Sequence, residues 1–65
     1  MKRTTAMGAL DDLTSWAAAR TTTLELIPPP TLGGHWMVRL GLTVGTGRHL
    51  AEALIACRDA LEAER

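Results

Sequence analysis

Phenylalanine, tyrosine, asparagine and glutamine are all absent from this 65-residue chain, which carries one cysteine, Cys57, and one lysine, Lys2. Without Phe or Tyr, only Trp16 and Trp36 can act as large aromatic anchors, so the rest of the interior must be aliphatic. A lone cysteine excludes an intramolecular disulfide as a staple. Formal net charge is zero, which excludes the strong long-range field of most nucleic-acid binders while leaving room for a local basic patch. Long apolar runs are missing too. None approaches the roughly 18 residues that span a bilayer, and Asp11 and Asp12 interrupt the stretch after Lys2 and Arg3 before a signal-peptide core can form. These absences predict a cytoplasmic protein with no membrane contact.

What is there is a 46% hydrophobic composition, enough for one core. A domain of this size buries only about 60% of its unfolded surface and is marginally stable alone, so a homodimer is expected.

Residues 1–5 are polar and expected to fray, with Thr4 or Thr5 available as an N-cap. Leu10, Leu13, Trp16 and Ala17 share a face at about 100° per residue and predict a helix over Met7–Arg20. The β-branched Thr21, Thr22 and Thr23 lead into Leu24-Glu25-Leu26-Ile27, a short strand ended by Pro28. Residues 28–34, with Pro28-Pro29-Pro30 and Gly33-Gly34, read as a stiff hairpin loop. Over residues 35–44 the chain alternates, Trp36, Val38, Leu40, Leu42 and Val44 against His35, Met37, Arg39, Gly41 and Thr43, predicting one long strand. Gly45-Thr46-Gly47 is expected to turn into a final helix over 47–64 capped by Thr46. In that helix Leu50, Leu54, Cys57 and Leu61 form the buried stripe, small Ala53, Ala56, Ala60 and Ala63 flank it, and Arg58 is spaced to pair with Glu62. The fold class is thus α+β, a single domain over residues 1–65. Its order is helix-strand-strand-helix, an antiparallel hairpin packed by two helices and completed by dimerisation, for which edge-to-edge joining of the sheets offers one route.

No enzyme motif is present, and no catalytic residue, metal or cofactor is expected. Cys57 falls in an apolar stripe and reads as a structural thiol, and His35, His49 and Cys57 lack the close paired spacing of zinc ligands. Met37, Arg39 and Ile55 are the candidate contacts for a protein partner, as apolar or basic positions expected on open surfaces. The alternative is a small nucleic-acid-binding regulator whose anion-binding patch comprises His35, Arg39, Thr46, Gly47, Arg48 and His49. A strand-to-helix junction there could offer backbone N–H groups to a phosphate, although the P-loop lysine and the dinucleotide glycine pattern are lacking.

Gly33-Gly34-His35-Trp36-Met37-Val38, then Gly47, Leu50-Ala51-Glu52-Ala53-Leu54 and Asp59-Ala60-Leu61-Glu62, resemble the core of the HicB-type antitoxin family over residues 22–64. Leu40-Gly41-Leu42-Thr43-Val44 stands where that family has a proline-aspartate-leucine-proline-glycine-cysteine segment. The resemblance implies a non-enzymatic dimer that masks a small toxic ribonuclease by occlusion, with no catalytic residues to carry over.

Overall fold

In a computed structural model, which describes residues 5–64, helix α1 runs over Ala6–Arg20. Residues 1–4 of the expected frayed start lie outside the described residues. Thr5 is not frayed but caps α1: its hydroxyl accepts from Gly8 N at 3.0 Å and its carbonyl accepts from Ala9 N at 2.9 Å. The buried face is Ala9, Leu13 and Ala17, with Trp16 packed beside it, whereas Leu10 is exposed rather than facing the core. Small residues either side of Leu13 let the second helix lie close. At its far end α1 closes in a Schellman arrangement, Thr22 N to Ala17 O at 3.0 Å and Thr21 N to Ala18 O at 3.3 Å. That closure forces Thr21 to φ 51°, ψ 45°, so it ends the helix instead of leading the strand.

Strands β1 (Leu24–Ile27), β2 (Trp36–Leu40) and β3 (Thr43–Gly47) form an antiparallel sheet in the order β1-β2-β3, followed by helix α2 (Leu50–Ala63). The protein is therefore α+β, a helix, a three-stranded sheet and a helix, with the Pro/Gly segment joining β1 to β2 as expected.

The long strand predicted over 35–44 is two strands. Gly41, at φ 63°, supplies the positive φ that a two-residue type II′ hairpin turn takes at its first central position, and Leu42 completes the turn. Leu40 and Thr43 then pair directly and must share a face, so the alternation reverses beyond the turn. Val38 and Leu40 are buried as predicted, but Leu42 is fully exposed and Val44 points outward. In their place Thr43, Gly45 and Gly47 face the interior.

Those small residues seat α2. A Cβ on Gly45 would stand 2.1 Å from Cys57 N and 2.7 Å from Ala53 O, so the helix backbone rests on the strand where only glycine fits. Gly45-Thr46-Gly47 is thus strand, not turn, and Thr46 does not cap the helix. His49 occupies the N-cap position, and its side chain makes no capping bond.

Helix α2 buries Ala53, Leu54, Cys57 and Leu61, with Leu50 half-buried. One flank lies on β3 and the other on α1. Each fully buried Leu13, Leu61 or Val38 contributes about 1.5–3 kcal/mol through removal from water. Arg58 does not pair with Glu62; its Nε donates to Asp12 Oδ2 on α1 at 3.1 Å and its Nη1 to Asp59 Oδ1 at 3.2 Å. The nearness of α1 on that flank also explains Ile55, which packs against the core instead of projecting from an open face. At the other end, Thr43 Oγ1 donates to Glu64 Oε2 at 3.1 Å, tying the last turn of α2 to the start of β3.

Candidate functional site

Both helices lie on one side of the sheet, because the buried Val38, Leu40 and Thr43 share a face and α2 rests on it. Strand pairing puts Glu25, Ile27, Met37, Arg39, Val44 and Thr46 on the opposite face, where no element of the described chain covers them. Ile27 and Met37 are each 37% exposed and Val44 is 43% exposed, forming an apolar group around a cross-strand ion pair. In that pair Arg39 Nε donates to Glu25 Oε1 at 3.1 Å and Arg39 Nη2 also reaches the same oxygen. Both partners are about half exposed, so the pair fixes the orientation of Arg39 more than it stabilises the fold.

Of the candidate protein contacts, Met37 and Arg39 stand side by side on this face and Ile55 lies on the other side of the molecule. Ile27 and Val44 belong to the patch and were not anticipated. Ile27 was visible as the end of β1, but its facing depends on register with Met37, and Val44 required recognising the turn at Gly41-Leu42.

A second region lies where the β1–β2 loop meets the β3–α2 junction. A cleft of about 810 Å³ is lined by Pro29, Pro30, Leu32, His35, Arg48 and His49, together with Thr31, Gly33 and Gly34. The expected anion-binding set is therefore divided. His35, Arg48 and His49 converge on the cleft, while Arg39 and Thr46 lie on the outer sheet face and Gly47 packs under Glu52 and Ala53 of α2. Pro29, Pro30 and Leu32, read from the sequence only as stiff loop, supply the apolar wall.

Cys57 is buried and its Sγ donates weakly to Thr43 O at 3.8 Å. Burial pushes its thiol above the ordinary value, which disfavours the thiolate a nucleophile needs. Among the described residues no three His, Cys, Asp or Glu side chains gather as metal ligands, and Cys57 lies in the core, away from the two cleft histidines. Among the same residues no helix is long and apolar enough to cross a membrane. Comparisons of the chain with protein-family models, with curated proteins and with solved structures returned no match.

Proposed function

We propose that this chain is a small non-enzymatic interaction module of the cytoplasm that works by covering a surface on a partner protein. The observation that carries this reading is the bare face of the sheet, where Ile27, Met37 and Val44 surround the oriented Arg39–Glu25 pair. Apolar side chains around a fixed charge pair suit a partner with an apolar patch flanked by charges of both signs, because burial supplies affinity and the charges supply register. The buried, unreactive thiol is in keeping with a reducing compartment. The antitoxin-like resemblance of residues 22–64 points to the same mode of action, inhibition by occlusion.

Self-association is part of the proposal. Among the described residues, strands β1 and β3 each leave one edge without a partner strand. Leu26 stays 44% exposed although it lies on the helix-covered face, so two-fold joining along β1 would bury it and leave both outer faces free.

The test is capture from native cells with the wild-type chain, with Met37→Glu, and with Asp11→Lys, a charge change on the exposed side of α1. A protein retained by wild type and Asp11→Lys but lost with Met37→Glu is the expected result. Equal recovery with all three, or no reproducible partner, would overturn the proposal. Sedimentation showing only monomer at micromolar concentration would remove the dimer.

A further inference from the structure

The cleft between the proline loop and the start of α2 has a composition that its surroundings do not explain. Its lining brings together Arg48, His35 and His49 and holds no Asp or Glu, in a chain whose formal charges sum to zero. Elsewhere the arginines that reach carboxylates do so closely, Arg39 to Glu25 and Arg58 to Asp12 and Asp59. The side chains of Arg48, His35 and His49 make no hydrogen bond or ion pair among the described residues. Their donors are therefore unspent within the described chain, on exposed side chains at the edge of the cleft. Guanidinium is the side chain best matched to a phosphate group, since its planar fork offers two parallel donors.

The remaining lining defines what the phosphate is attached to. Pro29, Pro30 and Leu32 make an apolar wall beside the basic group. Proline holds its φ near −65°, and Gly34 N bonds back to Thr31 O at 3.1 Å, so the backbone of this wall is set before a ligand arrives, with the Leu32 side chain standing fully exposed at its rim. A volume of about 810 Å³ falls among those of small-molecule sites. A phosphate beside a flat, weakly polar body of that size is the chemistry of a nucleotide.

We propose that this cleft binds a nucleotide phosphate monoester, with Arg48 as the principal phosphate ligand, His35 and His49 as flanking donors, and the base lying against Pro29, Pro30 and Leu32. The site is independent of the outer sheet face, so it extends the proposed function without resting on it. The same chemistry comes from two sources, a free mononucleotide or the 5′-phosphate of an oligonucleotide.

Titrations of the ¹⁵N-labelled chain with AMP, adenosine, inorganic phosphate and a 5′-phosphorylated tetranucleotide test this. AMP is expected to shift the amides of residues 32–35 and 48–50, with adenosine and inorganic phosphate each at least about tenfold weaker, because each keeps only one half of the recognition. Arg48→Gln is expected to weaken AMP by about tenfold to a hundredfold, whereas Arg20→Gln, an equal charge change at the end of α1, leaves it unaltered. Arg48 is exposed, and an unchanged amide spectrum away from the cleft shows that the variant is folded. Tighter binding of the tetranucleotide than of AMP assigns the site to an RNA or DNA end, and the reverse assigns it to a free nucleotide. No shift at 10 mM AMP or tetranucleotide, adenosine binding as well as AMP, or equal loss in both arginine variants would overturn the proposal.

Discussion

Replacing Gly45 by alanine perturbs the contact on which both faces of the sheet depend. The added methyl would stand 2.1 Å from Cys57 N, 2.6 Å from Cys57 Cα and 2.7 Å from Ala53 O, all backbone atoms of α2 that no rotamer change can move. Ordinary contact begins near 3.4 Å, so helix and strand must separate by roughly 1 Å or more, opening the packing of Leu54, Cys57 and Leu61 on Val38 and Leu40. Overpacking of this kind costs typically about 1–3 kcal/mol and more where backbone resists; about 3 kcal/mol is expected here. A chain of 65 residues has only about 3–10 kcal/mol of total stability at typical values per residue. The folded fraction should therefore drop steeply. Urea unfolding followed by far-UV circular dichroism and Trp fluorescence measures the loss, with Thr46→Ala as the control on the outer face of the same strand, expected within about 1 kcal/mol of wild type. Equal midpoints for the two variants would refute the seating of α2 on β3.

Three further outcomes are expected. Thr21→Gly should raise stability by about 1 kcal/mol, because a β-branched residue is held at φ 51° where glycine bears no steric cost, and an unchanged or lower melting temperature would count against the Schellman closure. Thr5→Ala should lower it by about 1 kcal/mol and speed exchange of the Gly8 amide, since the capping hydroxyl is lost. Burial raises the folded-state pKa of Cys57 above its unfolded value, so the stability it contributes is complete below about pH 8.5 and is lost as pH rises through the folded value, at up to about 1.4 kcal/mol per pH unit. With no tyrosine and one lysine in the chain, few other groups titrate there. Urea midpoints between pH 8 and 10.5 should fall for wild type and stay nearly flat for Cys57→Ala.

Elements set by local chemistry were legible in the sequence. A threonine ahead of a helical apolar stripe located α1, the proline and glycine cluster located the β1–β2 loop, and the alanines beside Leu54 and Cys57 announced a close approach that Ala53 makes. Gly41 was hidden because apolar residues continue at even positions on both sides of it. Periodicity cannot register a two-residue turn whose far strand faces its interior with Thr43, Gly45 and Gly47 and turns Val44 out. Missing the turn displaced everything after it, including the start of α2 and the supposed Thr46 cap. Ile55 was misplaced for another reason: helical phase shows which residues share a face but not that α1 covers a second flank. The cleft was half legible. Arg48 and His49 were grouped from adjacency, His35 joins them through the antiparallel pairing of Trp36 with Gly47, and Arg39 was separated from them by strand parity.

The most direct test of the central claim, a sheet sealed on one side by α2 and bare on the other, is a set of proton–proton Overhauser contacts around the turn. Gly45 α protons in contact with Ala53 and Cys57, together with Val44 methyls in contact with Arg39 and not with any α2 residue, are the expected pattern. Val44 or Leu42 methyls in contact with Leu54 or Leu61 would mean one unbroken strand with an apolar inner face, and the proposed docking surface would not exist.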